Sequence, residues 1–212
     1  MTTYKEIFGK QVKNFSSDPA NNAEGQIWFN TTSGTFKSLI QIKAWSAGGS
    51  LATARREAAG TGTQTAGLFF GGGGAPNGST DTTATEEYNG FNFTTSGNMN
   101  TAREGLASAG TQTSALGYGG ANYGSPVGIT NKTEEYGGTS WTSVNNMNNS
   151  RSYLSGFGAS QTAAIAVGGN GPTPSNSAAT ESYDGTNWTN LSAPSNVPSI
   201  DFTSASCGTQ TA

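Results

Sequence analysis

Apolar residues in this chain come in short bursts, and the bursts return. The runs GLFF, ALGY and AIAV end at Phe70, Tyr118 and Val167, and each is followed by a glycine pair: Gly71-Gly72, Gly119-Gly120 and Gly168-Gly169. Runs this short, bounded by polar and glycine residues, predict strands rather than helices. Each is preceded by a stretch of small residues, such as EGLASAGTQT, suited to a strand pressed close to its neighbour. After each glycine pair the pattern predicts a polar loop, then a short strand ending in tyrosine: Thr85 to Tyr88, Thr133 to Tyr136 and Thr180 to Tyr183. Asn89-Gly90, Gly137-Gly138 and Asp184-Gly185 follow, and such pairs signal two-residue hairpin turns. A last strand carries an aromatic residue five positions after the tyrosine, namely Phe93, Trp141 or Trp188. The pattern therefore predicts an all-β chain built from four-stranded antiparallel meanders.

The meanders repeat with a fixed period. Gln64, Gln112, Gln161 and Gln210, each inside a Gln-Thr tract, are separated by 48, 49 and 49 residues. Arg55, Arg103 and Arg151 open successive units, and Glu86, Glu134 and Glu181 recur within them. A period of this length means stacked modules that bury their apolar faces against one another.

Composition fits this picture. Charged residues make up 11% of the 212 residues and glycines number 31, so Thr, Ser, Asn and Gly must supply surface and turns. The apolar fraction of 33% is low, but with a net charge of −3 and apolar positions in register the chain is expected to fold rather than remain disordered. Histidine is absent and Cys207 is the lone cysteine, which leaves the usual zinc, copper and haem ligand sets unbuildable and removes the commonest general base. No cofactor or metal is expected. There is no apolar run of membrane-spanning length and no signal-like apolar core at the start, so membrane insertion is not expected either. The acidic balance, with a pI near 4.9 and no basic stripe, argues against nucleic acid.

The order of glycine pair, tyrosine and tryptophan resembles the kelch repeat of β-propellers, over roughly four-fifths of the chain from Trp45 to Ala212. The resemblance implies a propeller of about four blades, or an incomplete or longer ring, each blade a four-stranded sheet. Units are expected at about 46–93, 94–141 and 142–188, with a partial unit at 189–212, where Pro194 and Pro198 replace the methionine and arginine of the pattern. Closure has two readings: N-terminal strands and the residues around Ile200 to Gly208 share a blade, or the natural chain continues past Ala212.

The N-terminal part differs. Residues 1–23 read as a docking segment, with Tyr4, Ile7, Phe8 and Val12 available to a neighbour. Residues 24–45 read as a hairpin around Thr31 to Gly34 that joins the first blade through Trp45, ten residues before Arg55. The tract GQIWFNTTSGTFK resembles a hairpin of phage tail and fibre proteins, and with the GTQTA-type units the chain is similar to virion structural proteins of marine tailed bacteriophages, cyanophages especially. That resemblance implies a non-enzymatic virion protein whose partners are other virion proteins and copies of itself. The alternative is an adhesion module for a host receptor or glycan.

Candidate chemistry divides by whether it repeats. The arginines and glutamates recur in every unit, so they are expected to pair with each other or with backbone carbonyls between units, since catalytic sites are rarely built in triplicate. Tyr88, Tyr136, Tyr183, Trp45, Phe93, Trp141 and Trp188 are expected as core aromatics between units. The glycine pairs lack the Lys-Ser/Thr of a phosphate loop. Specificity is expected where the copies disagree, in the loops 73–84, 121–131 and 170–179, with Tyr123 a candidate for stacking on a sugar and Asp81 too isolated for calcium.

Overall fold

A computed structural model describes residues 12–20, 27–38, 47–74, 80–123, 128–172 and 178–192. The chain divides into two compact units, residues 1–47 and 48–212. Trp45, Cys207, Gln210 and the 189–212 half-unit beyond Ser192 lie outside the described residues.

In the first unit the expected hairpin forms. Ile27–Asn30 pairs antiparallel with Thr35–Ser38, with Gly34 at φ 67° in the turn. Lys13–Phe15 adds a third strand, parallel to Ile27–Asn30, so part of the predicted docking segment belongs to this small sheet. Asp18 fastens it, accepting from Trp28 Nε1 at 3.2 Å, Asn30 Nδ2 at 2.9 Å and Lys37 Nζ at 2.8 Å. The lysine contact, then the Asn30 and Trp28 bonds, hold the Asp18 carboxyl down at about 2.

The second unit contains three four-stranded antiparallel sheets, each in simple sequential order. The first comprises Ala59–Thr63, Ala66–Phe70, Thr85–Tyr88 and Phe93–Ser96. The second comprises Ala107–Thr111, Ser114–Tyr118, Thr133–Tyr136 and Trp141–Val144; the third, Ser155–Ser160, Ala163–Val167, Thr180–Tyr183 and Trp188–Leu191. None of the described sheets closes on itself, and no helix occurs among the described residues. The meander expected from the apolar pattern is the observed architecture.

Turn chemistry departs from expectation at one place. Tyr88 pairs with Phe93, Tyr136 with Trp141 and Tyr183 with Trp188, so the connections are four residues long, not two. In two of them a side chain builds the loop: Asn89 Oδ1 accepts from the amides of Phe91 and Asn92, and Asp184 Oδ1 from those of Thr186 and Asn187. An Asx side chain that satisfies two loop amides makes the longer connection as good as a tight one. The two-residue turns lie instead at Gln64-Thr65, Gln112-Thr113 and Gln161-Thr162, between the first and second strands.

One of those glutamines reaches the neighbouring sheet. Gln112 Nε2 donates to Gly67 O at 3.0 Å and Tyr88 O at 2.9 Å, both on the preceding sheet. The first and second sheets are thus stapled at this turn. Replacing Gln112 with alanine strands two carbonyls and is expected to cost about 1–2 kcal/mol, measurable by urea unfolding.

Small residues in the first strands let the sheets approach. Thr61 Oγ1 donates to Gly110 O at 2.7 Å and Ser108 Oγ to Gly60 O at 2.8 Å. A Cβ on Gly156 would lie 2.1 Å from the Tyr118 hydroxyl and 2.7 Å from Ala107 Cβ, so no larger residue fits there. Two apolar clusters fill the space: one between the first and second sheets around Phe70, Tyr136 and Trp141, one between the second and third around Tyr118, Tyr183 and Trp188. The outer face of the first sheet has no such cover from a described strand. Tyr88 and Phe93 are half-buried there, whereas the counterparts of Tyr88 (Tyr136 and Tyr183) and of Phe93 (Trp141 and Trp188) are buried. A groove of about 350 Å³ opens beside them, lined by Gly60, Leu68 and Phe69 among others.

Candidate functional site

The repeated charges are built into the sheets. Arg103 is fully buried, and its Nη1 donates to Lys132 O and Gly119 O while Nη2 donates to Gly117 O and, at 3.1 Å, to Glu134 Oε1. Arg55 meets Glu86 at 2.7 Å and the Ala84 carbonyl; Arg151 meets Glu181 at 2.8 Å and the carbonyls of Gly168 and Ala179. The pairing expected between units forms inside one unit, because the arginine leads into the sheet that carries its glutamate. What reaches the preceding unit is the arginine backbone: Gly72 N donates to Arg103 O at 2.9 Å and Gly120 N to Arg151 O at 2.8 Å. This is what the glycine pairs are for. Gly72 and Gly120 both stand at φ 98°, and a Cβ on Gly72 would meet Arg56 O at 2.6 Å.

Burial lowers the basicity of all three arginines, Arg103 to about 10, which leaves the Arg103 guanidinium charged at neutral pH. Each also keeps a buried Nε without a partner among the described residues. The second carboxylate oxygen is taken as well: Glu86, Glu134 and Glu181 Oε2 accept from the amides of Ala52, Asn100 and Asn148 at 2.8, 2.6 and 2.7 Å. Asn100 and Asn148 further donate their side chains to the carbonyls of Trp141 and Trp188. These asparagines were missed in the sequence, although Asn-Met-Asn occurs twice, at 98–100 and 146–148.

The remaining letters of the Thr-Glu-Glu-Tyr strand bind the next unit. Thr85 and Thr133 accept the indole N–H of Trp141 and Trp188 at 2.9 and 3.0 Å. Glu87 and Glu135 accept the hydroxyls of Tyr136 and Tyr183. Burial first, and then the Glu87 contact, pushes the Tyr136 hydroxyl up to about 12. Phe70 packs on Trp141 with ring centroids 4.6 Å apart and Tyr118 on Trp188 at 4.9 Å, so these aromatics join consecutive sheets.

The copies also disagree at a place inside the framework. The two residues after the opening arginine are Arg56-Glu57, Glu104-Gly105 and Ser152-Tyr153. They lie side by side in one backbone ladder: Gly105 N donates to Glu57 O at 2.9 Å and Tyr153 N to Gly105 O at 2.7 Å. All three second positions are left-handed, Glu57 at φ 53°, Gly105 at 61° and Tyr153 at 53°, and only the middle copy uses glycine. Aligning the three arginines would have revealed the divergence.

Side chains converge over this ladder. Tyr153 OH donates to Glu57 Oε2 at 2.6 Å, bridging the first and third units. The Arg56 guanidinium is half exposed; it lies 3.3 Å from Glu104 Oε1 and 3.9 Å from Glu57 Oε1, and Glu104 beneath it is 1% exposed. Burial raises the Glu104 carboxyl and Arg56 opposes that rise; Glu104 in turn raises Arg56. Burial and the Glu57 carboxylate hold the Tyr153 hydroxyl in its neutral form. Tyr123, 42% exposed, adjoins Tyr153, and its backbone amide donates to Asp81 Oδ2 at 2.5 Å. Asp81, isolated in sequence, therefore ties the first variable loop to the second. Its Oδ1 is buried without a partner among the described residues.

No protein-family model matches the chain, and no curated protein matches it. Its fold is represented among solved structures, with 141 matching chains. One, described as the structure of YjhT, aligns with a TM-score of 0.54 at 13% identity, covering 78% of this chain and 51% of its own. The chain thus spans about half the length of that structure, and the likeness is one of fold.

Proposed function

We propose that the three sheets are consecutive blades of a kelch-like β-propeller, and that the protein is a non-enzymatic structural component of a tailed-phage particle. One observation carries the scaffold part of this reading: the repeated arginine, glutamate, tyrosine and tryptophan are all engaged with the protein's own groups, copy after copy. Residues spent in this way build a rigid body and leave contact-making to non-repeated positions. The virion part rests on the GQIWFNTTSGTFK tract, whose residues from Ile27 to Lys37 belong to the small sheet of the first unit, taken here as the docking element, with the propeller mediating contacts to other virion proteins or to further copies. Mass spectrometry of purified particles of the phage that encodes the chain should find its peptides. Their absence from particles would overturn the assignment.

A second reading, attachment to a host receptor or surface glycan, is favoured by one feature: Arg56, Glu57, Tyr123 and Tyr153 form an accessible group of side chains that the repeat does not require.

A further inference from the structure

We infer that Arg56, Glu57, Tyr123 and Tyr153 form a binding site for a neutral saccharide, recognised through neighbouring hydroxyl groups. The inference rests on the surface-attachment reading and gives it a ligand class.

The backbone supplies the first argument. At the second ladder position the scaffold demands a left-handed residue, and Gly105 meets that demand without strain. The flanking copies place Glu57 and Tyr153 in the same conformation, which L residues adopt at a cost. Glycine at all three positions would serve the ladder equally well. The two side chains kept in its place meet each other at 2.6 Å and face the half-exposed Arg56.

The second argument is chemical. The site holds one guanidinium against two carboxylates, and one of those carboxylates lies buried under the guanidinium. Its net charge is therefore −1, which disfavours an anionic ligand, while donor and acceptor groups stand next to each other. Adjacent sugar hydroxyls both give and accept hydrogen bonds, so they match a carboxylate and a guanidinium side by side. The Tyr123 ring offers a flat apolar face at the rim for the C–H face of a pyranose.

The test is isothermal titration of the full chain with methyl glycosides of glucose, galactose and mannose and their disaccharides, with methylammonium and inorganic phosphate as ionic probes. At least one glycoside is expected to bind saturably. Glu57→Gly and Tyr123→Ala should each weaken it by about tenfold or more. Glu57→Gly should do so with little change in melting temperature, since relief of backbone strain offsets the lost Tyr153 contact; Glu57→Gln, which keeps the side chain's shape, should weaken binding likewise. The inference is overturned if no glycoside binds, if only an ionic probe does, or if both Glu57 variants bind as the wild type does. A fall in melting temperature for Glu57→Gly, with Glu57→Gln binding normally, would assign Glu57 to the scaffold and also overturn it. Presence of the protein in particles without glycoside binding would sink this site and leave the virion reading standing.

Discussion

Glu134→Ala should cost about 3–5 kcal/mol of folding stability, enough to lower the melting temperature by roughly 6–20 °C in a domain of this size. The size of the effect follows from what the carboxylate leaves behind. Arg103 has no exposure to solvent, and with Glu134 gone its charge would face three carbonyls and no counter-ion. The Asn100 amide would lose its acceptor as well. Breaking a buried pair from one side is far worse than never having had it, because the desolvation of the survivor remains uncompensated. The double variant Arg103→Met with Glu134→Leu would not recover the loss here. In many proteins an apolar swap of both partners is neutral, but this arginine also satisfies backbone carbonyls in the second strand of its sheet, at Gly117, and at the adjoining ends of the second and third, at Gly119 and Lys132. Calorimetry of the single and double variants decides between these accounts: recovery in the double would mean the carbonyl contacts contribute little.

How far the sequence foretold this network depends on the distance over which each residue acts. Strand order was readable because the short apolar runs, the glycine pairs and the aromatic after each tyrosine are local signals. The four-residue loops were not, since Asn89-Gly90 looks the same whether Asn89 sits in a two-residue turn or caps two amides of a longer one. The partners of Arg103 were unreadable for another reason. Its side chain runs 31 residues forward to Glu134 and its carbonyl 31 residues back to Gly72, and a repeat near 48 residues fits several such pairings equally well. Expecting the pair between units put the right groups together across the wrong boundary. The site around Glu57 was legible but hidden by a sound general rule. Loops do usually carry specificity, so the disagreement among Arg56-Glu57, Glu104-Gly105 and Ser152-Tyr153, inside the framework, drew no notice.

Trp141→Ala should be as damaging as loss of Glu134, at about 3–5 kcal/mol, and should change the shape of unfolding as well as its midpoint. The indole is 6% exposed and packs on Phe70 of the preceding sheet and Tyr136 of its own. Truncation opens a cavity between the first two sheets and strands the Thr85 hydroxyl, which is 1% exposed. In an array where each module leans on its neighbours, a lesion at one interface uncouples the modules on either side of it, so urea unfolding should become biphasic. Trp141→Phe separates the two parts of the effect by keeping most of the ring and losing the N–H. Its cost should fall largely on the unpaired Thr85 hydroxyl, at about 1–3 kcal/mol, and adding Thr85→Val should recover much of it. Thr180 is the internal control. Its hydroxyl is buried with no partner among the described residues, so Thr180→Val should leave stability unchanged or raise it, while Thr133→Val, which deprives the Trp188 N–H of its acceptor, should lower it. Equal effects at Thr133 and Thr180 would mean that the tryptophan's reach to threonine is incidental and that ring packing alone holds consecutive sheets together.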